Sequence, residues 1–258
     1  MSKVLRFSAK GEVRYGLLEG TKVRVLQGNP FDFQETASTV SLEEVQILAP
    51  CDPSKIVCVG LNYRDHAEEI KAELPEEPHI FLKPPTALIG PGEAILLPSM
   101  SSRVDYEGEL ALVIKKRAKG VSRKEAPDYI LGYTCFNDVT ARDLVAKDKG
   151  PLRAKIFDTF AALGPWIASD VDPTSLAIRT YLNGELRQSS NTKNLIFDPF
   201  HLVSFISSVL TLLPGDVIST GTPSGIGSMR AGDLVEVEIE GIGRLSNPVA
   251  LPEEREKK

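Results

Sequence analysis

Asp105-Tyr106-Glu107-Gly108-Glu109-Leu110-Ala111-Leu112-Val113-Ile114 is predicted to form a β-strand. Two glutamates lie near its start. Side chains at positions i and i+2 of a strand project from the same face, so Glu107 and Glu109 can direct two carboxylates to one point. Hard cations such as Mg²⁺, Mn²⁺ or Ca²⁺ prefer such oxygen ligands, and a third acidic residue could complete the set. The alternative from this segment alone is that both glutamates lie on the solvent-exposed face of an edge strand.

The composition of the chain is that of an ordinary globular protein. Its 258 residues are 42% hydrophobic and 25% charged, which suffices for one large domain, with or without a small appendage. The 30 basic and 35 acidic residues give a formal net charge of −5. Because no basic cluster with interleaved aromatic residues occurs, the sequence disfavours nucleic acid and anionic membranes as partners.

The sequence predicts a cytoplasmic location. Residues 1–7 lack the apolar region of an export signal, and the apolar stretch 202–213 is too short to span a bilayer and contains serines and a threonine. The three cysteines form no close pair of the zinc or thioredoxin type. We therefore expect buried, reduced thiols.

Two regions are predicted along the chain. Residues 1–54 form a small β-rich module and a connector, and residues 55–258 form the main domain. In the first region, alternating apolar and polar residues over 3–27 predict two or three short strands, and the prolines of 28–54 indicate a connector with one short strand at 45–48.

Strands outnumber helices in the predicted main domain. A helix is predicted after Asn62 as its N-cap, with an apolar stripe that runs from Tyr63 to Leu74. A second helix is predicted with Asp198 as its N-cap and Pro199 in its first turn. Apolar runs predict strands at 56–60, 129–136, 178–182, 216–220 and 234–239. The predicted fold class is therefore mainly β with some α, an α+β fold.

Four further residues could carry chemistry. Asp138 follows an apolar strand, where it could be a third carboxylate beside the two glutamates or a helix N-cap. His66 lies three residues before Glu69 on the predicted helix, a spacing that lets the carboxylate orient the imidazole, although a surface pair without function has the same spacing. Lys155 lies between apolar positions and could approach an anionic substrate or be a solvated strand residue.

A loop rich in small residues follows the strand predicted at 216–220. Its sequence, Thr220-Gly221-Thr222-Pro223-Ser224-Gly225, could bind a carboxylate through backbone N–H groups. It lacks the lysine of a P-loop, and no glycine fingerprint opens a βαβ unit, so the sequence does not indicate a nucleotide site. A Gly-x-Ser-x-Gly nucleophile elbow is also absent.

Taken in order, these segments closely resemble the fumarylacetoacetate hydrolase family over about residues 55–251. The segments that carry the resemblance are Gly60-Leu61-Asn62-Tyr63-Arg64-Asp65-His66-Ala67-Glu68-Glu69, Phe81-Leu82-Lys83-Pro84, Asp105-Tyr106-Glu107-Gly108-Glu109-Leu110, Asn137-Asp138-Val139-Thr140-Ala141-Arg142-Asp143, Lys155-Ile156-Phe157-Asp158, Pro214-Gly215-Asp216-Val217-Ile218 and Thr220-Gly221-Thr222-Pro223. Their combination in this order is highly specific.

The resemblance implies a distorted β-barrel or β-roll that holds a divalent metal, usually Mg²⁺ or Mn²⁺, with Ca²⁺ as a substitute in vitro. The implied residue roles are metal binding by Glu107, Glu109 and Asp138, catalysis by His66, Glu69 and Lys155, and substrate binding by Arg64, Gly221 and Thr222. Thr159 matches a position sometimes associated with the outer environment of the metal. Many members carry a substrate-contacting glutamine seven residues after the metal aspartate, where this chain has Val145.

The implied activity is metal-dependent chemistry on small 2-oxo, β-diketo or 2-hydroxy-dienoic acids through a stabilised enolate. C–C bond hydrolysis, isomerisation and decarboxylation all fit, and the candidate substrates include 2-hydroxyhepta-2,4-diene-1,7-dioate and other intermediates of homoprotocatechuate breakdown, acylpyruvates, and oxaloacetate as the substrate of a decarboxylase or tautomerase. The rival hypothesis is a non-catalytic module that binds a dicarboxylate. Family members usually form dimers, so the resemblance also implies a homodimer.

Overall fold

The computed structural model of the protein describes residues 2–252. The strands are β1 Lys3–Ala9, β2 Glu12–Glu19, β3 Lys22–Asn29, β4 Asp32–Ser41, β5 Gln46–Leu48, β6 Ile56–Val59, β7 Ile80–Lys83, β8 Leu88–Ile89, β9 Ile95–Leu96, β10 Val104–Tyr106, β11 Gly108–Ile114, β12 Ile130–Asp138, β13 Thr140–Ala141, β14 Ala161–Ala168, β15 Ala177–Leu182, β16 Glu185–Asn191, β17 Val217–Ser219, β18 Gly227–Met229, β19 Leu234–Ile239 and β20 Gly243–Ala250. The α-helices are α1 Arg64–Ile70, α2 Arg142–Asp148, α3 Leu152–Lys155 and α4 Pro199–Val209, and short 3-10 helices cover Leu42–Glu44, Pro85–Ala87, Ala126–Tyr129 and Thr192–Asn194.

Three sheets form the fold. The largest has the strand order β4-β3-β2-β1-β14-β12-β11-β17-β6-β7, with β5 paired to β1 and β8 to β14. The second has the order β13-β10-β18, and the third has the order β16-β15-β19-β20-β9. The prediction of a mainly β chain with some α is confirmed. Within residues 2–252 the largest sheet ends at β4 on one side and β7 on the other, so the predicted barrel or roll is open rather than a closed barrel.

Strand β11 lies inside the largest sheet, between β12 and β17. All its residues are buried, and its two faces contribute to different cores. Leu110, Leu112 and Ile114 belong to one hydrophobic cluster, whereas Ala111 and Val113 belong to another. The alternative of an edge strand with a solvated face is therefore wrong. A near-continuous apolar run is typical of a strand that is covered on both faces.

The N-terminal region contains more strand than the sequence predicted. Strands β1 to β3 confirm the prediction over residues 3–27, and β5 confirms the short strand near 45–48. However, β4 occupies ten residues of the predicted connector and pairs with β3. Its side chains are mostly exposed, so it lacks the apolar alternation by which a strand is predicted. Strand β1 also pairs with β14 of the main sheet.

Helix α1 is shorter than predicted. It ends at Ile70 because Lys71 adopts a left-handed backbone conformation with φ 55°. Leu74, predicted to continue the apolar stripe, lies beyond the helix and is 47% exposed. The N-cap position belongs to Tyr63, which makes no side-chain capping bond, so the prediction that Asn62 caps this helix is wrong.

Two further expectations concern helices and thiols. No helix within residues 2–252 has both the length and the apolar character that crossing a membrane requires. The three cysteines all lie in the described part of the chain, and there they are buried and form no disulfide. The expected reduced, buried thiols are therefore confirmed.

Helix α4 provides a test of local stability. Asp198 accepts hydrogen bonds from the Phe200 N–H at 2.9 Å and the His201 N–H at 3.0 Å, as the predicted N-cap should. We expect Asp198→Ala to lower the free energy of unfolding by about 1 kcal/mol, because these N–H groups lose their acceptor. Asp198→Asn keeps a capping oxygen and removes the charge that pairs with Arg123. Denaturant unfolding should show the loss in the alanine variant only, and an equal loss in both variants would contradict a capping role.

Candidate active site

Three carboxylates meet where strands β11 and β12 pair. Glu107 directly precedes β11, Glu109 is the second residue of that strand, and Asp138 is the last residue of β12. Antiparallel pairing places Gly108 opposite Asn137, and the Asp138 N–H donates to the Glu107 carbonyl oxygen at 2.9 Å. Each acidic residue offers a carboxylate oxygen within 4.8 Å of the others, and none is more than 6% exposed. The structure thus brings together the three predicted metal ligands.

Lys155, the last residue of α3, lies against two of these carboxylates. Its Nζ donates to Glu107 Oε2 at 2.6 Å and to Asp138 Oδ2 at 2.5 Å, and it lies 5.2 Å from the centroid of the Phe81 ring. Burial by itself would lower the pKa of Lys155, but the charges of Asp138 and Glu107 outweigh burial and raise it. Lys155 is therefore a buried cation at neutral pH, not a solvated strand residue.

Lys83 is a second buried cation, to which sequence reasoning assigned no role. Its side chain is inaccessible to solvent, and its Nζ lies 2.6 Å from Asp138 Oδ1. The same ammonium group donates to the Val139 carbonyl at 3.0 Å and to the Phe160 carbonyl at 2.6 Å. One feature of the sequence could have revealed Lys83. A lysine at the end of an apolar strand is buried only if an anionic partner lies beside it.

Arg142, the first residue of α2, joins two acidic residues. Its guanidinium group contacts Glu107, and its Nε donates to Asp105 Oδ2 at 2.9 Å. Asp105 is fully buried and also accepts from Arg103 Nε at 2.9 Å. Burial favours the neutral form of Glu107, but the charges of Lys155 and Arg142 outweigh it and lower the pKa of Glu107 to about 2.

Glu109 has a different environment from its two neighbours. It accepts a hydrogen bond from the Gly221 N–H at 2.8 Å and another from the Ser219 hydroxyl. Burial and the charge of Asp138 raise the pKa of Glu109 well above its usual range. No lysine or arginine in residues 2–252 forms an ion pair with Glu109. Its carboxylate is therefore the one whose charge the protein compensates least.

The donor set fits a hard divalent cation. All three groups are carboxylates, which Mg²⁺ and Mn²⁺ accept as ligands. Within residues 2–252, Asp138 Oδ1 contacts Lys83 as an ion pair, but without the angles of a hydrogen bond. Ca²⁺ also takes such oxygen ligands, and water would complete the shell of any of these ions beyond three carboxylates. The residues present therefore fit a hard divalent cation.

The predicted His66 and Glu69 pair forms on α1. His66 Nδ1 lies 2.8 Å from Glu69 Oε2, and Glu69 Oε1 accepts from the Gly225 N–H at 2.9 Å. Because the carboxylate can only accept, Nδ1 carries a proton, and the neutral form of the imidazole then has its lone pair on Nε2. The pair can therefore hold a general base in one tautomer.

The loop after β17 lies beside Glu109. Gly221 has φ 93°, and a Cβ atom there would lie 2.8 Å from the Cβ of Asn62, so this position requires glycine. Its N–H is already used by Glu109. The Thr222 hydroxyl donates to the Gly108 carbonyl oxygen at 2.9 Å, whereas the Thr222 N–H forms no hydrogen bond within residues 2–252. Of the two substrate-binding residues predicted in this loop, Gly221 and Thr222, only Thr222 has a backbone N–H without a hydrogen bond within residues 2–252.

Asn62 organises this loop instead of capping a helix. Its Nδ2 donates to the Thr220 carbonyl at 2.7 Å and to the Phe197 carbonyl at 3.0 Å, and its Oδ1 accepts from the Phe197 N–H at 2.8 Å. The side chain is fully buried. One of these bonds holds the start of α1 against the loop that contains Gly221, and the other two hold it against the segment that precedes α4.

A cavity of about 430 Å³ opens onto these groups. Five of the predicted site residues line it, namely His66, Glu107, Glu109, Lys155 and Thr222. Arg142 also lines it, together with an apolar wall that includes Leu61, Ile70, Ile80, Phe81 and Pro151. Arg64 is exposed at the start of α1 and is not among the residues that line the cavity. The cavity therefore combines a charged floor with an apolar side.

Two positions that the resemblance singled out lie in other contacts. Thr159 has φ 69°, an uncommon conformation for a β-branched residue, and its hydroxyl accepts from the Leu96 N–H at 2.9 Å. Val145 is half-buried on α2 and packs against the larger hydrophobic cluster. Neither is among the residues that line the cavity.

Comparisons with known proteins cover nearly the whole chain. A family model described as fumarylacetoacetate (FAA) hydrolase C-terminal matches residues 55–250, and one described as Rv2993c-like, N-terminal matches residues 2–50. A protein of Archaeoglobus fulgidus is 56% identical over 242 residues, 94% of each chain. The oxaloacetate tautomerase fahd2 of Xenopus laevis is 44% identical over 223 residues, 81% of this chain and 70% of the other.

Solved structures show the same similarity. A 2-hydroxyhepta-2,4-diene-1,7-dioate isomerase of Mycobacterium marinum matches with 43% identity and a TM-score of 0.92, over 98% of this chain and 100% of the other. A maleylpyruvate hydrolase of Sphingobium, solved with manganese(II) and pyruvate, matches with 28% identity and a TM-score of 0.82, over 97% and 100% of the two chains.

Gly221 provides a test of the packing around Glu109. In Gly221→Ala, the left-handed backbone costs about 1–2 kcal/mol, and the clash with Asn62 adds roughly 1–3 kcal/mol. The matched control is Gly184→Ala, because Gly184 has φ 80° but open space where its Cβ would lie. We expect calorimetry to show weaker Mn²⁺ binding and denaturant unfolding to show a larger stability loss for Gly221→Ala than for the control. Equal losses would contradict a packing role.

Proposed function

Because the chain belongs to the fumarylacetoacetate hydrolase family, we propose that it is an Mg²⁺- or Mn²⁺-dependent enzyme acting on small 2-oxo, β-diketo or 2-hydroxy-dienoic acids through an enolate. The observation that carries the proposal is the cluster of Glu107, Glu109 and Asp138, of which the two glutamates line the same cavity as His66. A module that only bound dicarboxylates would not need a histidine held by a carboxylate at this position.

The cluster supplies the proposed metal ligands. A divalent cation bound there would provide positive charge that stabilises an enolate and its carboxylate. The manganese and pyruvate in the Sphingobium hydrolase structure support this choice of cation and of 2-oxo acid chemistry. Lys155 would add a second positive charge, since its Nζ lies 2.6 Å from Glu107 Oε2 at the same cavity.

His66 is the proposed general base. Glu69 accepts from Nδ1, which leaves Nε2 able to take a proton from substrate or water and to return it. The Gly225 N–H holds the other oxygen of Glu69, so the imidazole is oriented from α1 and from the loop. Proton transfer between carbon and oxygen would give isomerisation, and activation of water would give C–C bond hydrolysis.

The substrate carboxylate is proposed to bind at the loop of Gly221 and Thr222. The Gly221 N–H is used by Glu109, so the Thr222 N–H is the donor that remains for substrate. Arg64 lies outside the cavity lining and could contact only the outer part of a long substrate. Since Val145 stands where many family members carry glutamine, we expect the distal end of the substrate to be bound differently here.

The reaction outcome separates the candidate activities. The names of the Mycobacterium and Xenopus relatives support an isomerase and, as the alternative, an oxaloacetate tautomerase. An oxaloacetate decarboxylase is a further alternative that the same enolate would serve. A spectrophotometric screen with acylpyruvates, oxaloacetate and 2-hydroxyhepta-2,4-diene-1,7-dioate, in the presence of Mg²⁺ or Mn²⁺, would identify the reaction. Absence of turnover on all of them would favour the dicarboxylate-binding module.

The assembly and location of the protein stay predictions. The homodimer implied by the resemblance would be tested by analytical ultracentrifugation of the full chain. The cytoplasmic location would be tested by fractionation of cells that produce it.

Removal of the metal should abolish turnover. We expect chelation to stop the reaction and added Mg²⁺ or Mn²⁺ to restore it, and we expect Asp138→Asn to reduce kcat/KM at least about 100-fold because a charged ligand is lost. Asp148→Asn is the control, since Asp148 pairs with Arg153 at the surface. Full turnover by the protein after complete metal removal would contradict the metal assignment.

His66→Ala should affect rate more than metal binding. Loss of a general base lowers kcat by about 10²- to 10⁴-fold, whereas the Mn²⁺ Kd should stay nearly constant, because His66 is not one of the three proposed ligands. His79→Ala is the matched control, since His79 lines the same cavity but forms no ion pair within residues 2–252. Weakened Mn²⁺ binding with an unchanged kcat in His66→Ala would count against the catalytic role.

A further inference from the structure

Gln188 lies in strand β16 and is fully buried beside the site. Its Oε1 accepts from the Gly108 N–H at 3.0 Å, and its Nε2 donates to Thr222 Oγ1 and to the Pro223 carbonyl, both at 2.9 Å. The Gly108 N–H requires an acceptor and the Pro223 carbonyl requires a donor, so these partners define which end of the amide is oxygen. Both N–H donors of the amide and its oxygen are therefore satisfied.

The side chain connects two parts of the proposed site. Gly108 stands between Glu107 and Glu109, and Thr222 lines the cavity. Strand β16 belongs to the third sheet and β11 to the largest one, so the amide of Gln188 crosses from one sheet to the other. A Cβ atom at Gly108 would lie 2.1 Å from Thr180 Oγ1, which shows how closely these sheets approach.

The amide also determines the polarity of the Thr222 hydroxyl. This hydroxyl has one proton, and Thr222 Oγ1 lies 2.9 Å from both the Gly108 carbonyl and Gln188 Nε2. Because Nε2 can only donate, the hydroxyl must accept from Gln188 and use its proton on the Gly108 carbonyl. Towards a ligand, the Thr222 hydroxyl then offers an acceptor only, and the backbone N–H of Thr222 remains the donor for a carboxylate.

We propose that Gln188 is a positioning residue that holds the Thr222 loop against the strand of Glu107 and Glu109 and keeps the Thr222 hydroxyl proton away from the substrate. This inference rests on the function proposed above. Within residues 2–252, Gln188 forms no hydrogen bond to the three carboxylates and is not among the residues that line the cavity, so it would act on the substrate carboxylate through Thr222.

Gln188→Glu tests the proposal with the exchange of one atom. Oε1 can still accept from the Gly108 N–H. The new oxygen takes the place of Nε2, so it faces the Pro223 carbonyl and draws the Thr222 hydroxyl proton away from the Gly108 carbonyl. We expect the Kd for pyruvate, measured by calorimetry on the Mn²⁺-loaded protein, and the KM for substrate to rise about tenfold or more. The kcat should change less than KM, and the Kd for Mn²⁺ should stay within about twofold.

Two further variants complete the experiment. Gln34→Glu makes the same substitution on the exposed strand β4. It should leave kcat, KM and the Kd values for pyruvate and Mn²⁺ unchanged. If Gln188→Glu does not fold, Gln188→Met is used in its place. It removes the hydrogen bonds of the amide without adding charge, and it should raise the pyruvate Kd by a similar factor. In a Thr222→Val background, the change at Gln188 should raise the pyruvate Kd by less than about twofold, because the effect of Gln188 on the substrate passes through Thr222.

Several outcomes would overturn the proposal. An unchanged pyruvate Kd in the Gln188 variants would overturn it. Additive effects of the Gln188 and Thr222 changes on the pyruvate Kd would overturn it as well. Parallel weakening of pyruvate binding, Mn²⁺ binding and thermal stability would show a merely structural role. If the unaltered protein binds pyruvate but turns over no 2-oxo acid, the proposed function fails while the pyruvate Kd still tests Gln188. If the unaltered protein binds no pyruvate at all, both fail.

Discussion

The pairing of strand β11 with strand β12 is the constraint on which the rest of the site depends. Its register places Glu107 and Glu109 beside Asp138, three carboxylates in the buried interior of the protein. Two unit charges about 4 Å apart interact by roughly 4 kcal/mol at an effective dielectric constant of about 20. Such a cluster is stable only if cations or hydrogen-bond donors surround it, and the neighbouring elements supply them.

The contacts that compensate this charge also hold elements of the fold together. Lys83 joins β7 to Asp138 and to two backbone carbonyl groups, Lys155 brings the end of α3 to Glu107 and Asp138, and Arg142 ties α2 to Glu107. Glu109 is the exception, since it has only hydroxyl and backbone donors in the described part of the chain. This uneven compensation leaves room for additional positive charge at the carboxylates that face the cavity.

Much of the fold could be predicted where local chemistry decides the structure. The Asp198 cap, the apolar run of β11 and the alternation over residues 3–27 each depend on neighbours within a few positions. Strand β4 escaped prediction because its side chains are exposed and its pairing with β3 sustains it. Helix α1 was predicted too long because the left-handed conformation of Lys71 breaks a stripe that the sequence continues.

In the site, the sequence by itself determined that Glu107 and Glu109 share a face and that His66 can reach Glu69, because strand and helix periodicity govern both pairs. The end of an apolar strand offered Asp138 either as a third carboxylate or as a helix N-cap, and the resemblance of the segments to a family implied the first role. The tertiary structure alone decided that β11 is covered on both faces, that lysines 83 and 155 are buried cations, and that Gln188 bonds to the Thr222 loop. These contacts join residues far apart in the chain, and strand register and sheet packing set their distances, which local sequence does not encode.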